Sequence, residues 1–340
     1  MAISPSDGDD LAQKEEDAME YTTFGKTGLK VSVAGLGCGG NSRLGLGTGR
    51  SEEEAIAIVR NAVDLGVNIL DTAANYKTEE LVGKAIKPLD RESLIIATKS
   101  SFQKDGAFFT ADQVIASLEN SLRELDTDYI DVFQLHAVPP KGYDHALNVL
   151  APVLEREKEK GRIRHIGLTE TSPRDHGHEM LQRAVHDPVW ESMMLGFNMM
   201  HQKARQKVFP HAIENNVGTL LMFVVRNIFS QEGYLANTMR ELAEAGLVSA
   251  DLAKSDNPLD FLIHEGGATS LTDAAYRFVR HQPGVSVVLF GTGSQDHLRT
   301  NIESIVSPPL PEADVAKLHE LFGHLEGVGL DLPDRSQKKA

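Results

Sequence analysis

Apolar residues recur along this chain in short runs that alternate with longer stretches of helical period. From Ser51 onward, Ile56, Ile58, Val59 and Val63 fall on one face, with Ser51 and Glu54 spaced as a capping box, which predicts a helix. Before it, YTTFGKTGLKVS alternates around Gly25 and Gly28, a hairpin pattern, and leads into VSVAGLG, a strand that ends in the glycine-rich stretch CGGNSRLGLGTG. The rhythm then repeats. Strands are expected at 67–71, 94–99, 129–136, 163–169, 193–198, 218–225 and 285–291. The helices expected after them lie near 79–87, 111–125, 145–160, 174–186, 203–215, 270–281 and 295–305. With VSVAGLG as the first strand, these units predict an α/β fold: a (β/α)8 TIM barrel with an N-terminal β-hairpin. An extra C-terminal helix is expected at 311–323, with Pro311 at its first turn. The excursion 226–268 exceeds any structural connector and is expected to form a lid or clasp over the mouth.

Composition narrows the function classes. With 34 Lys+Arg against 49 Asp+Glu the net charge is −15, which argues against nucleic acid as a partner. The lone cysteine, Cys38, rules out an internal disulfide framework, and no apolar run reaches membrane-spanning length. The first twenty residues are acidic and lack the apolar stretch of a secretory signal, so the expected compartment is the cytoplasm. The expected organisation is an acidic tail over 1–20, one barrel domain over 21–325 and a second tail over 326–340.

Candidate chemistry gathers where strands end. In GVNILDTAANY the apolar run stops at Asp71, and Tyr76 follows in the next loop; LIIATK ends at Lys99 and YIDVFQLH at His136. In a parallel barrel all four stand on one rim, the end where catalytic groups are built. A free phenol has a pKa near 10, and an adjacent ammonium lowers it toward usefulness as an acid. Lys99 fills that role, Asp71 holds Lys99 in place, and His136 orients a carbonyl oxygen or relays a proton.

Two other constellations are weaker. Gly35, Gly37 and Gly40 spell GxGxxG, the dinucleotide fingerprint of a doubly wound sheet, in which the helix opens within the glycine run. Here ten residues separate Gly40 from Ser51, so that reading is rejected. Asp175, His176, His178 and Glu179 make a His-x-His cluster after Pro173, expected to be solvated first-turn residues, and no metal site is assigned. Met193, Met194, Met199 and Met200 read as core filling, Glu155 to Lys160 as a solvated helix end, and Trp190, Phe108 and Phe109 as apolar residues beside the mouth.

Taken together, FGKTGLKVSVAGLG, GVNILDTAANY with EELVGKAI, IIATK, YIDVFQLH, GRIRHIGLT and FGTGSQDHLRTNI resemble the aldo-keto reductase family over nearly the whole folded chain. The resemblance implies a barrel without a Rossmann domain, NADP(H) bound across the strand tips with NAD(H) as second option, and hydride exchange with a small carbonyl or sugar substrate. It makes Tyr76 the proton donor and Asp71, Lys99 and His136 its partners. It places Gly291, Thr292, Gly293 and Ser294 around the adenosine phosphate, with His297 where many members carry Arg, and Asn301 at the adenine. Gly37 and Cys38 match the pair beside the nicotinamide half. Thr169 and Glu170 stand in place of the usual Ser-Asn that holds the carboxamide, and Met194 in place of a Gln. Phe223 replaces a ring-stacking Tyr, and Arg226 adds a charge at that rim. An enzyme is therefore expected; the alternative is a cofactor-bound regulatory or sensor subunit of the same type with little turnover.

Overall fold

The computed structural model describes residues 19–172 and 174–330. A short antiparallel hairpin, β1 (Tyr21–Thr23) and β2 (Lys30–Ser32), opens the chain. The next strands are β3 (Ala34–Gly37), β4 (Ile69–Asp71) and β5 (Ile95–Ser101), then a small hairpin of β6 (Gln103–Lys104) and β7 (Ala107–Phe108). After these come β8 (Ile130–Val138), β9 (Ile163–Glu170), β10 (Ser192–Gly196), β11 (Gly218–Met222) and β12 (Val287–Phe290). Eight of them close a parallel barrel in the order β3-β4-β5-β8-β9-β10-β11-β12, with helices in the connections, as the strand–helix rhythm requires.

Alternation inside the barrel decides where the chemistry stands. Ile69, Ile95, Ala97, Val132, Met194, Leu220, Val287 and Leu289 pack inward as a separate apolar cluster. Phe24, Leu29 and Val31 of the hairpin join them and plug the N-terminal end. Side chains in a strand repeat with period two. Asp71 therefore follows Ile69 inward, Lys99 follows Ala97, and Gln134 and His136 follow Val132. Above the apolar floor lies a polar layer at the C-terminal mouth. The opposite parity (Leu36, Leu70, Ile96, Phe133, Leu135) joins the larger core between strands and helices.

Local chemistry explains most element boundaries. Helix Glu52–Asp64 starts on the expected capping box, with Ser51 Oγ accepting from Glu54 N (3.2 Å) and Glu54 accepting from Ser51 N (2.8 Å). No helix opens within the glycine run 35–40, consistent with rejecting the dinucleotide fingerprint. Prolines account for several departures. The helix expected at 145–160 begins at Tyr143 and passes through a π turn, Ala146–Leu150, just before Pro152, which lacks the N–H needed to continue an α ladder. The helix expected at 203–215 is broken into Ala204–Lys207 and Phe209–Glu214 around Pro210. Pro311 caps the helix Glu312–Phe322 rather than occupying its first turn.

Of the helix expected at 174–186 only Glu179–Ala184 forms. Asp175 accepts hydrogen bonds from Glu179 N and Met180 N and ends the preceding turn. The excursion 226–268 is largely helical (Asn227–Ser230, Tyr234–Glu244, Ala250–Lys254). It leans on the C-terminal helix through Lys317 over the Phe261 ring and a His264–Asp314 pair at 2.9 Å. It clasps that helix and its trailing segment; the hydrogen bonds described for it do not reach Asp71, Tyr76, Lys99 or His136.

Most of the expected tails lies outside the described residues. At the inner ends, Met19 packs on the core and Glu20 pairs with Arg280 (2.9 Å). The folded chain also continues past 325, with Leu330 buried against the barrel rim.

Candidate active site

Asp71, the last residue of β4, and Lys99, near the end of β5, lie side by side on the inner wall. Lys99 Nζ donates to both Asp71 oxygens (2.7 and 2.8 Å) and to Thr72 O (2.7 Å), so all three ammonium protons are satisfied in a fully buried position. Burial opposes the charge on Lys99, but Asp71 outweighs it, with Tyr76 adding to the effect, and the lysine pKa lies above its ordinary value. Burial pushes the Asp71 carboxyl up and the ammonium pulls it back. With both its oxygens engaged by Nζ, the pair is held ionic.

Tyr76 ends a 3-10 turn, Ala74–Tyr76, that Lys77 closes in the left-handed region (φ 57°). Its ring stands 5.1 Å from Lys99 Nζ and edge-on to His136 at 5.5 Å between centroids. The glycine-rich loop presses on its other side. A Cβ at Gly39 would lie 2.4 Å from the Tyr76 ring, so a side chain there would displace the phenol. Burial raises the Tyr76 pKa more than Lys99 lowers it. The expectation of a net lowering is therefore corrected: burial keeps the phenol protonated, with the Lys99 ammonium beside it as the charge that favours its ionised form.

His136 sits where β8 loses register with β9 between Leu135 and Val138. Ala137 takes the left-handed conformation (φ 60°) and donates its N–H to Thr169 Oγ1 at 2.7 Å. Such a bulge re-aims the side chain beside it. Burial, helped by Lys99, pushes the imidazole pKa down to about 3, so His136 is neutral at physiological pH and offers one N–H to an oxygen in the mouth.

The residues expected around a cofactor divide into two groups. Near the phosphate position, Gly291 is exposed, and Thr292, Gly293 and Ser294 turn the chain into the 12-residue helix Gln295–Val306. Ser294 caps it by accepting from His297 N (3.4 Å), and Thr292 Oγ1 accepts from Ser294 N (3.0 Å). His297 is exposed on the first turn and Asn301 is largely buried one turn later. The loop after β3 reaches this turn: a Cβ on Gly293 would lie 2.3 Å from Gly45 Cα, so two glycine backbones meet there. A helix N-terminus with this much backbone exposed by glycine suits a phosphate.

Near the carboxamide position the expectation is corrected. Glu170 is buried with both oxygens spent: Oε1 accepts from Gly196 N (2.8 Å) and Ser172 Oγ (2.7 Å), and Oε2 pairs with His178 Nδ1 (2.6 Å). Thr169 is occupied by the Ala137 N–H, and Met194 is buried. Cys38 has no exposed surface and its thiol joins the outer core, so only its backbone reaches the mouth, where its N–H donates to Asp71 O (2.7 Å). Gly37 lies beside Asp71 in the β3–β4 ladder. Phe223 adopts a left-handed backbone (φ 62°) with the Arg226 guanidinium 4.7 Å from its ring.

Three features were not visible as sequence pattern. Gln134 is a buried amide in the polar layer, opposite Lys99 in the β5–β8 ladder. Gly39 is a steric requirement of Tyr76. His178, together with Asp175, is buried rather than solvated, and the His178 ring lies 5.0 Å from that of His201. Only the His-x-His spacing hinted at the last. Trp190 is also displaced from expectation: fully buried in the outer layer, it donates to the Tyr143 hydroxyl (3.0 Å). Phe108 instead clusters with Phe102 and His145.

Cavities of about 500 Å3 (near Lys26 and Glu191) and about 370 Å3 (beside Lys317) lie away from the four rim residues, so chemistry, not volume, locates the site. Among the described residues no His/Cys/Asp/Glu group of three or more is arranged to hold a metal, and no helix is long and apolar enough to cross a membrane.

A family model described as the Aldo/keto reductase family matches residues 35–322. The aldo-keto reductase YhdN of Bacillus subtilis (strain 168) is 30% identical over 298 residues, covering 80% of this chain and 85% of that protein. L-galactose dehydrogenase of Arabidopsis thaliana is 37% identical over 157 residues, 44% of this chain and 48% of that protein. Among solved structures, the holo form of aldo-keto reductase AKR11C1 from Bacillus halodurans superposes with a TM-score of 0.68 at 21% identity, covering 92% of this chain and 100% of that one, a likeness of fold.

Proposed function

The chain belongs to the aldo-keto reductase family, whose members are nicotinamide-dependent carbonyl oxidoreductases, and on that premise we propose that it reduces an aldehyde, ketone or sugar carbonyl reversibly, with Tyr76 as proton donor and NADP(H) as preferred cofactor. One observation carries the reading: a protonated phenol stands beside a buried ammonium and a neutral imidazole on one rim. Groups tuned in this way have no packing role that a hydrophobic residue would not fill better.

The cofactor, when bound, supplies the hydride that reaches the carbonyl carbon. His136 donates its N–H to the carbonyl oxygen and fixes its direction. As negative charge grows on that oxygen, Tyr76 gives up its phenolic proton and the alcohol forms. Lys99, held by Asp71 and Thr72 O, stabilises the phenolate until solvent reprotonates it. Gly291 to Ser294 and the start of the following helix would hold the phosphate end, with Asn301 toward the adenine. The preference for NADP(H) comes from the family resemblance, and His297, where many members carry Arg, weakens the positive charge at that turn, so NAD(H) is the alternative it must be tested against. Thr169 and Glu170 take no part in holding the carboxamide.

The test follows reduced-cofactor absorbance with an aromatic aldehyde, in parallel with NADPH and NADH. Consumption of either with stoichiometric alcohol formation supports the reductase, and the ratio of the two rates settles the cofactor. A second reading, a cofactor-bound sensor, is favoured by the self-satisfied Glu170 side of the mouth. Tight cofactor binding without turnover on any carbonyl tested would replace the first reading with it.

A further inference from the structure

The segment after the last helix returns over the rim. Gly327 N–H donates to His201 Nδ1 (3.1 Å), Gly329 O accepts from Asn198 Nδ2 (3.1 Å), and Glu326 pairs with Lys203 (2.8 Å). These ties carry Leu330, 1% exposed, to the tip of β10. Gly196 follows Ser192 and Met194 in the inward parity, and a Cβ there would lie 3.2 Å from both Leu330 Cδ2 and Phe223 Cδ2. Leu330 and Phe223 thus cover the mouth along β10 and β11, across the barrel from Tyr76.

Beneath this segment lies the buried Glu170–His178 pair, with His201 packed on the His178 ring. A buried ion pair is poor evidence of stabilisation by itself, since apolar residues of similar volume serve as well. What this pair does that apolar residues would not is direct hydrogen bonds. Glu170 ties the tips of β9 and β10 together through Gly196 N. His178 holds a strained left-handed backbone (φ 56°) to reach Glu170. His201 presents a lone pair to Gly327 only while it is neutral.

We propose that Glu170, His178 and His201 are positioning residues that seat residues 326–330, and with them Leu330, over the β10–β11 side of the mouth, and thereby set the room left for the carbonyl substrate. The specificity half of this rests on the reductase reading; the seating does not.

The charge pattern agrees with the geometry. Burial opposes the His178 imidazolium, but Glu170 outweighs it, and Asp175 from its own turn and Glu326 from the segment add to the upward shift. Burial likewise opposes the Glu170 carboxylate, and His178, Gly196 N–H and Ser172 more than offset it, holding its pKa low. His201, buried and facing the His178 charge, with His176 adding, is pushed down to about 3 and stays neutral. Lys203 stands beyond Glu326 as its partner. Raising pH through the elevated His178 value discharges the imidazolium, leaves a buried carboxylate unpaired and loosens the segment.

The experiment is hydrogen exchange over 324–330 in the full-length protein, paired with Michaelis constants for a small and a bulky aromatic aldehyde. Glu170→Gln should speed exchange in that segment by roughly tenfold or more while the strands stay protected. In the wild type, exchange corrected for its intrinsic pH dependence should accelerate as pH rises through the elevated His178 value, and this rise should vanish in Glu170→Gln. Leu330→Gly should shift KM for the bulky aldehyde several-fold, with kcat and the small aldehyde little changed. Should Glu170→Gln fail to fold, His201→Phe, which keeps ring volume but removes the acceptor for Gly327, must give the faster exchange. Unchanged exchange in a folded variant overturns the seating. An unmoved KM in Leu330→Gly overturns the specificity role. Absence of turnover in the wild type defeats the reductase reading and leaves the exchange result standing.

Discussion

The two halves of the barrel mouth handle polar side chains in opposite ways. Along β4, β5 and β8, Asp71, Lys99 and His136 are supported from behind, so that a phenol and an imidazole face the opening. Along β9, β10 and β11, Glu170 turns its oxygens on the protein itself, and Leu330 and Phe223 lie over the tips. On the proposed reading one half acts on a ligand and the other holds the rim and the C-terminal segment in place. The difference shows that one rim can carry two uses of polar side chains side by side, even though the halves are joined along the β8–β9 ladder and by the Ala137 N–H on Thr169 Oγ1.

The sharpest way to break the comparison is Lys99→Met. It leaves Asp71 buried without its cation, which costs about 3–5 kcal/mol of stability in denaturant unfolding. Turnover should fall by roughly a thousandfold or more, since the phenolate loses its stabilising charge. Retention of turnover within tenfold would contradict the role given to Lys99. Glu170→Gln should cost a similar amount, about 3 kcal/mol, but leave kcat within a few-fold, because that arc holds the rim rather than the reaction. A collapse in kcat without a change in melting would place Glu170 in the chemistry instead.

A smaller effect is expected for Gly39→Ala. The new methyl meets the Tyr76 ring, and overpacking of this kind typically costs about 1–3 kcal/mol. Its signature is a fall in kcat of roughly tenfold, an order-of-magnitude figure for a misplaced catalytic group, with cofactor affinity kept.

The mildest probe is pH. His136, held near 3, predicts no break in the reduction rate at the ordinary histidine value near 6.5. Stability should behave differently. The Glu170 contribution is present above its unfolded value near 4.3 and is lost as pH falls through its depressed folded value. The His178 contribution is present below about 6.5 and is lost as pH rises through its elevated folded value. Melting curves across this range should therefore pass through a plateau between the two.

The same division decides how much could be read from the chain alone. Asp71, Lys99 and His136 are placed by strand parity, an even offset from an apolar residue on the same strand (two from Ile69 and Ala97, four from Val132), so local pattern is enough to locate them. The barrel is legible for the same reason, since each strand–helix unit announces itself. Glu170 is determined by Gly196, 26 residues on, and by His178, 8 residues on across an irregular turn, and both positions depend on the finished fold. Cys38 and Trp190 looked like mouth residues from their place along the chain, yet packing turned both into the outer core. The helix at 174–186 was shortened by a cap, Asp175, whose partners lie four and five residues ahead in a pattern that also fits a longer helix.

The central claim is that Tyr76 delivers the proton, and Tyr76→Phe tests it most directly. The substitution keeps the ring against Gly39 and His136 and removes only the hydroxyl. The account predicts that carbonyl reduction falls by about 10²–10⁴-fold, the usual worth of a general acid, while cofactor binding and melting temperature stay close to wild type. Turnover that survives in Tyr76→Phe within a few-fold would contradict it, and would move the proton source to another group in the mouth.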